Sequence, residues 1–250
     1  AFGIGKAALM PFHRWLPAAM VAPTPVSALL HAVAVVKAGV FAILKVTVYI
    51  FGIDLVGGST ASTALLWVAA LTIIGASLVA LYQDNLKRRL AYSTISQLSY
   101  VVLGAVLANA ASISGAAVHI ATHAVGKITL FFCAGAILVA THKTRVSELD
   151  GLGRQMPLTM GAFLIASLSI AGLPPTGGLW GKWYLALGAL EAGYGILVGV
   201  LMLSTLLNIA YLLPIPLRAF FGQSPKTTVQ FSEAPLPCLV AIGITPAACV

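Results

Sequence analysis

The sequence predicts an all-α fold, a polytopic bundle of transmembrane helices, and three observations lead to this prediction. Hydrophobic residues make up 60% of the 250 residues and charged residues only 8%, against about 25% charged in a typical soluble domain. The mean hydropathy is +1.01. Several apolar runs reach the length of about 20 residues that a helix needs to cross a bilayer. A net charge of +8 does not indicate nucleic-acid binding, because no basic run is interleaved with aromatic residues.

The apolar runs follow one another along the chain, separated by turn-forming or polar stretches. The first run, 1–10, ends at Pro11, and the prolines between residues 11 and 25 prevent a continuous helix there. Helices that span the membrane are then predicted at 26–51, 61–82, 90–108, 115–140 and 194–213, with the start of another at 236–250. The region 158–190 is interrupted by GLPPTGG, which contains Pro174, Pro175 and Gly177. A polar loop is predicted at 217–234.

Lysine and arginine are distributed very unevenly among the predicted loops. Alternating sides group the loops 11–25, 83–89, 141–157 and 217–234, which together hold nine of the 14 Lys and Arg residues. The opposite loops, near 52–60, 109–114 and 190–193, hold none. Because cytoplasmic loops carry an excess of Lys and Arg, the sequence predicts a bacterial inner (cytoplasmic) membrane protein with its basic loops in the cytoplasm.

Five cations remain inside the predicted membrane segments, and all five are lysines: Lys6, Lys37, Lys45, Lys127 and Lys182. Such residues are costly in a membrane and mark functional sites by default. Lysine can lose its proton when it is desolvated, whereas arginine keeps its charge. Together with His31, His119 and His123, these lysines therefore indicate proton exchange rather than structural ion pairing.

The most informative stretch is AAVHIATHAVGKITLFFCAGAILV, residues 116–139. Its residues His119, His123 and Lys127 are spaced i, i+4 and i+8, which places them on one helical face. This spacing predicts a proton relay; a polar face that hydrogen-bonds neighbouring helices is the alternative. Burying a lysine in the middle of a membrane span costs free energy, so Lys37 is predicted to have a role in the pathway. Lys45 lies near a helix end and can snorkel to the interface.

Lys6 and Lys182 each lie beside a predicted helix break. Lys6 precedes Pro11, and Lys182 follows Pro174, Pro175 and Gly177. Interruptions in corresponding parts of two halves are typical of inverted-repeat transporters, in which unwound backbone lines a polar cavity. The two breaks therefore predict two half-channels joined by the relay of the 115–140 helix.

Neither a cofactor nor a metal is predicted for this chain. Cys133, Cys238 and Cys249 lie in apolar segments without a CxxC pair, so they are predicted to be core residues. The six acidic residues all lie in predicted loops or at helix ends. A cationic pathway without a buried carboxylate is incomplete, which favours an acidic partner outside this sequence. Both ends of the sequence look truncated, as in a piece of a longer protein.

Four stretches resemble the antiporter-like membrane subunits of respiratory complex I, Mrp-type cation/proton antiporters and membrane-bound hydrogenases. They are GKAALMPFHRWLPAAMVAPTPVSALLHA, DNLKRRLAYSTISQLSY, HIATHAVGKITLFF and GLPPTGGLWGKWYL, and they cover most of residues 1–190. Among these families, the stretch LLHAVAVVKAGVFAILK is most similar to the D-type component of Mrp antiporters.

The resemblance implies a fold of about fourteen helices with two inverted repeats, of which this chain holds about the seventh to the fourteenth. It implies a single proton-translocating domain, 1–250, in which 1–51 ends the first repeat and 61–216 forms the second. Lys6 matches the lysine of the first broken helix and Lys182 the lysine or glutamate of the second, and His119, His123 and Lys127 match the central relay. His31 matches a histidine that follows the first break, and the glutamate partner of Lys6 would lie upstream of the sequence.

The functional hypothesis is a subunit that moves protons from Lys6 through Lys127, His123 and His119 to Lys182, within a multisubunit membrane complex. Monovalent cation (Na⁺ or K⁺)/proton antiport is the first interpretation. The second is a proton-pumping subunit of an NADH-quinone oxidoreductase or hydrogenase, with flavin and iron–sulfur clusters confined to partner subunits. The third is a transport-inactive scaffold subunit.

Overall fold

The computed structural model describes residues 2–29, 34–222 and 233–249. Within these ranges the chain forms helices joined by turns and has no β-strand beyond one isolated bridge, between Asn85 and Arg145, which confirms the all-α prediction. The α-helices are, in chain order, α1 (Phe2–Lys6), α2 (Trp15–Ala18), α3 (Thr24–Ala28), α4 (Val35–Lys45), α5 (Ile53–Gly57), α6 (Thr60–Tyr82), α7 (Leu86–Leu107), α8 (Ala110–Thr141), α9 (Pro157–Ala171), α10 (Gly178–Glu191), α11 (Gly195–Leu212), α12 (Pro214–Phe221) and α13 (Leu236–Ala247).

Four helical stretches in the described part of the chain are long and apolar enough to cross a membrane: α6, α7, α8 and the consecutive pair α11–α12. Helix α7 lies at the centre and is almost entirely buried. It packs against α6 on one side and α8 on the other, while α8 also contacts α9 and α10. Polar side chains on α7 and α8 are thus shielded from lipid and can face one another.

Asparagine side chains begin both central helices. Asn85 caps α7 by accepting a hydrogen bond from Arg88 N, and Asn109 caps α8 in a reciprocal capping box with Ser112. Asparagine is favoured at this position because its side chain satisfies a backbone N–H that has no partner within the helix. Helix α7 consequently begins at Leu86, a turn before the predicted start at residue 90.

The break at GLPPTGG is present, between α9 and α10. Helix α9 ends at Ala171. The next residue, Gly172, has a φ of 78°, a left-handed conformation that suits a residue without a Cβ. Leu173 N and Gly172 N return hydrogen bonds to Leu168 O and Ser169 O, the Schellman arrangement. Pro174 then cannot continue the helix, and the carbonyl groups of the last turn of α9 face the interior of the bundle.

The first break begins earlier than the sequence predicts. Helix α1 ends at Lys6 rather than reaching Pro11. Ala8 has a left-handed φ of 56°, which interrupts the helix. Met10 precedes Pro11, a position that also disfavours helical geometry. Trp15 closes the break by donating a hydrogen bond from Nε1 to Gly5 O at 3.0 Å. The two halves of the interrupted segment thereby stay in contact.

Two other predicted boundaries differ from the structure. The single α-helix predicted over 26–51 changes its geometry before it ends. Helix α4 is α-helical as far as Lys45, and the chain then forms a π-helix over Val46–Phe51. The predicted loop 217–234 begins later, because α12 extends to Phe221 and buries an apolar face. Residues 30–33, which include His31, lie outside the described residues.

The predicted basic loops meet at one end of the bundle. Hydrogen bonds join them in pairs: Lys87 Nζ to Ala22 O (3.2 Å), Val146 N to Asp84 O (2.7 Å), Ser147 Oγ to Asp84 Oδ2 (2.9 Å), Arg218 Nη2 to Asp150 Oδ2 (2.7 Å) and Thr159 Oγ1 to Glu233 Oε2 (2.9 Å). Desolvation raises the pKa of the Asp84 carboxyl. The hydrogen bonds from Ser147 and the charges of Arg145 and Arg89 together lower it by more, so this pKa lies below its ordinary value.

We expect Asp84→Asn to loosen the loop over 143–148. A carboxyl with a lowered pKa favours the folded state when it is ionised, so its contribution is present at neutral pH and disappears only below about pH 4. Trypsin should therefore cleave after Lys143 and Arg145 faster in the variant at pH 7. Asp54→Asn, a carboxyl on α5, serves as the control, and equal cleavage rates in the two variants would contradict the expectation.

Candidate functional site: a buried lysine–histidine row

Helix α8 carries the centre of the site. His119, His123 and Lys127 are exposed to only 3%, 1% and 0% of their surfaces. The two imidazole rings have centroids 5.8 Å apart, and Lys127 lies one further turn along the same face. The spacing in the sequence thus corresponds to one buried polar face, packed against α7 and α10.

Lys37 reaches this face from α4. Its Nζ lies 2.7 Å from His123 Nδ1 and donates a hydrogen bond to Ile120 O at 2.9 Å. The carbonyl acceptor fixes the position of the ammonium group, and the imidazole provides a group that can accept its proton. Lys37 therefore shares a direct contact with the row of α8.

Lys182 lies at the opposite end of this row, beside the second helix break. Its Nζ donates to Ile170 O at 2.9 Å and to Ala171 O at 2.8 Å, both in the last turn of α9. These carbonyls have no partner within the helix and lie at the negative end of its dipole. The break thus creates a place where a buried ammonium group is favourable.

Tyr100 lies between Lys182 and the histidines. Its ring stacks on His119 with centroids 5.3 Å apart, and Lys182 Nζ lies 5.4 Å from the centroid of the same ring. The aromatic face attracts the cation. The side chains of Lys182, His119, His123, Lys127 and Lys37, which we call the lysine–histidine row, are therefore connected by Tyr100 at the Lys182 end.

Lys127 ends the row on the side of the basic loops. Its Nζ donates to Ser93 Oγ at 2.7 Å and to Leu90 O at 3.1 Å, both on α7. Ser93 Oγ also accepts a hydrogen bond from Tyr211 OH at 2.9 Å. The ammonium group is thus anchored by α7, and a polar connection continues from it toward α11.

The other predicted site residues lie elsewhere. The side chain of Lys6 is exposed and makes no hydrogen bond to the described residues, although its backbone packs closely on Gly39 of α4. Lys45 is also exposed and contacts the rings of Phe41 and Tyr49. The structure therefore separates Lys6 from the row; its proposed role at the first break stays a prediction, as does that of His31.

Tyr100 and Tyr211 are the two site residues that sequence reasoning missed. Tyr100 belongs to a polar face of α7 with Ser93, Ser96 and Gln97, which the residue types alone reveal. Tyr211 had a weaker signal, since it follows Ser204 and Asn208 at i+7 and i+3 in an otherwise apolar helix. Polar residues at such spacing in a membrane helix share a face, and this face points at the row.

The row is cationic and has no acidic partner in the part of the chain that the structure describes. The one ion pair there joins Arg218 to Asp150, at the basic end. No cluster of His, Cys, Asp or Glu suited to a metal occurs among the described residues. The lysine, imidazole and hydroxyl groups that lie next to one another in this row can accept and release protons, so the chemistry that this site offers is proton transfer.

Comparison with known proteins finds one matching family and several relatives that are membrane-complex subunits. The family described as "NADH:quinone oxidoreductase/Mrp antiporter, TM" matches residues 1–208. NADH-quinone oxidoreductase subunit N of Desulforudis audaxviator is 40% identical over 238 residues, covering 94% of this chain and 47% of that protein. Subunit L of Rickettsia bellii is 32% identical, covering 94% and 35%.

Two solved structures have the same fold. Respiratory complex I from Thermus thermophilus with bound aureothin contains a chain with a TM-score of 0.78 and 29% identity, covering 98% of this chain and 53% of the other. The Mrp complex from Dietzia sp. DQ12-45-1b gives a TM-score of 0.83 at 24% identity, covering 98% and 54%, a likeness of fold alone. The chain thus spans about half the length, or less, of the proteins it resembles.

Proposed function

Because the chain belongs to the NADH:quinone oxidoreductase/Mrp antiporter transmembrane family, we propose that it forms the proton-conducting part of an antiporter-like subunit. The observation that carries this proposal is the lysine–histidine row. It extends through the buried centre of the bundle from Lys182 to Lys127 and Lys37. A scaffold has no need of three buried lysines, since each is costly in a membrane.

Repulsion between like charges gives the row a mechanism. Two cations close together in a medium of low dielectric constant repel strongly, and in the described residues no carboxylate offsets this charge. A proton that arrives at Lys37 or Lys127 therefore favours release of the proton held further along, at Lys182. His119 and His123 transfer protons between these lysines, since imidazole can both accept and donate.

The chain would work in a multisubunit complex of a bacterial inner membrane. The basic loops form its cytoplasmic end. The positive-inside rule supports this orientation, and the hydrogen bonds among those loops are consistent with their lying on one side of the membrane. In this arrangement Lys127 lies nearer the cytoplasm, and Lys182 faces the outer half-channel. The two helix breaks, at 7–14 and 172–177, would mark corresponding positions of two inverted repeats.

We favour redox energy as the driving force. The relatives with 32–40% identity are named as NADH-quinone oxidoreductase subunits, whereas the likeness to the Mrp complex at 24% identity concerns the fold. Flavin and iron–sulfur clusters would then lie in partner subunits. Monovalent cation/proton antiport is the second candidate, supported by the description of the matching family, which names the Mrp antiporter beside NADH:quinone oxidoreductase.

The test uses inverted membrane vesicles that contain the native complex, with a quenchable dye that reports internal pH. We expect NADH oxidation to acidify the vesicles, and deletion of the subunit to remove this acidification. A purified complex with flavin and iron–sulfur absorbance supports the redox assignment. Proton movement that requires a Na⁺ or K⁺ gradient in a colourless complex supports antiport instead. Vesicles that move protons equally well without the subunit would refute its role in conduction.

A further inference from the structure

Helix α11 carries a second set of buried polar side chains that the lysine–histidine row does not use. Ser204, Asn208 and Tyr211 are completely buried, although the helix is otherwise apolar and much of its surface is exposed. They lie at i, i+4 and i+7, on the face that packs toward α6 and contacts Ser93 and Ser96 of α7. Buried polar groups in a membrane helix require partners, and these partners reveal where the face leads.

One end of this set contacts Lys127. Tyr211 OH and Ser93 Oγ share a hydrogen bond of 2.9 Å, in which either hydroxyl can donate, and Ser93 Oγ accepts the hydrogen bond of Lys127 Nζ at 2.7 Å. When Ser93 donates to Tyr211, the single hydroxyl proton of Tyr211 is donated to Asn208 Oδ1. Lys127 is therefore linked to α11 through two hydroxyl groups, independently of His119 and His123.

The other end lies beside Lys182. Thr205, next to Ser204 in the chain, accepts a hydrogen bond from Lys182 Nζ at 3.5 Å. Ser204 Oγ itself lies 3.3 Å from Ser77 Oγ on α6 and 3.5 Å from Ser96 Oγ on α7. These hydroxyl groups can each donate and accept, so they form a polar cluster beside Lys182.

A single turn of α11 separates the two ends. Asn208 Nδ2 is buried and makes no hydrogen bond to the residues that the structure describes. Residues three and four apart on a helix are neighbours, so one water molecule can bridge Tyr211, Asn208 and Ser204. With that water, and with Thr205 between Ser204 and Lys182, polar groups extend from Lys127 to Lys182.

We propose that the α11 polar row (Ser204, Asn208 and Tyr211, with Ser93 of α7) is a second proton route between Lys127 and Lys182, parallel to the histidines. Ser93 accepts a proton from Lys127 and releases its own to Tyr211. Tyr211 releases its proton to the water, the water releases one to Ser204, and Ser204 releases its own through Thr205 to the unprotonated Lys182. Each oxygen gains one proton and loses one, so no charge remains on the row. Asn208 does not titrate; it holds Tyr211 and the bridging water. This inference rests on the proposed proton-conducting function.

The test is a double-mutant cycle in the native complex, with the vesicle acidification assay. Tyr211→Phe removes one hydroxyl group and keeps the ring, and His119→Gln removes one imidazole. Because two parallel routes add their rates, each single variant keeps measurable transport. In the His119→Gln background, Tyr211→Phe should reduce the rate by roughly tenfold or more, as expected for losing a positioned proton-transfer group. In the wild-type background its effect should be much smaller.

A purely structural role for Tyr211 gives a different result. Tyr211→Phe would then slow transport by the same factor in both backgrounds, within about twofold, as independent effects do, and this outcome overturns the proposal. Asn208→Leu provides a second variant if Tyr211→Phe fails to assemble, and Tyr82→Phe, at an 82% exposed position, is the control. A wild-type complex that moves no protons would refute the proposed function itself. Normal wild-type transport with a double variant equal to His119→Gln refutes only the second route.

Discussion

Lys127→Met is expected to abolish proton transport while the complex still assembles. Lys127 is completely buried and lies where the histidines and the α11 polar row meet, so neither route bypasses it. Methionine has a similar length but no proton to exchange. We expect a loss of at least about 100-fold, the lower range for a positioned proton-transfer group, measured by vesicle acidification. Lys182→Met, at the other meeting point, should have the same effect.

Assembly should survive this change, because methionine removes the cost of burying an unpaired charge, which offsets the loss of the hydrogen bonds to Ser93 and Leu90. The matched control is Lys45→Met, which alters an exposed lysine at the end of α4 and should leave transport unchanged. Full transport by both Lys127→Met and Lys182→Met would refute the lysine–histidine row as the pathway.

Gly178→Ala is expected to prevent stable packing of the second helix break. A Cβ on Gly178 would overlap the carbonyl oxygen of Ser169 in the last turn of α9, and two backbones cannot separate as a flexible side chain can. The cost is on the order of 1–3 kcal/mol or more, as for overpacked cores. It would fall on the turn that holds Lys182. The measurement is the amount of assembled complex and its thermal stability in detergent.

The neighbouring glycine provides a matched control. A Cβ on Gly177 would meet its nearest atom, Thr122 Cγ2, at 3.5 Å, an ordinary van der Waals contact. Gly177→Ala should therefore assemble normally. If Gly178→Ala assembled as well as Gly177→Ala, the close approach of α9 and α10 at this point would be contradicted.

The sequence predicts most of the fold, because the relevant signals are local. Apolar runs reveal α6, α7, α8 and α11, and prolines reveal the break between α9 and α10. Boundaries fail where side-chain capping or tertiary packing decides them, as at Asn85 and in the extension of α12 to Phe221. The break motif also shows this limit: composition singles out Gly177, whereas the packing of α10 on Ser169 makes Gly178 the constrained position.

The candidate site is predictable only along one helix. His119, His123 and Lys127 follow from periodicity within α8, but the contact of Lys37 with His123 joins residues 86 positions apart. That contact depends on how α4 crosses α8, which no local pattern specifies. Lys6 lies beside a break, as the sequence predicts, but its side chain is exposed and separate from the row, so its role stays a prediction. Tyr211 was missed because its contact with Ser93 likewise depends on how two helices cross.

The position of Lys182 links its charge to the shape of the backbone. When Lys182 carries its proton, the ammonium group satisfies the carbonyls of Ile170 and Ala171 at the end of α9. When it gives the proton up, the neutral amine keeps two N–H donors, but its hydrogen bonds to these carbonyls lose the strength that the charge provides, which costs free energy. By thermodynamic reciprocity, any partner subunit that displaces this turn changes the proton occupancy of Lys182 by the same free energy. The break is thus a point at which mechanical work from a neighbour is converted into protonation.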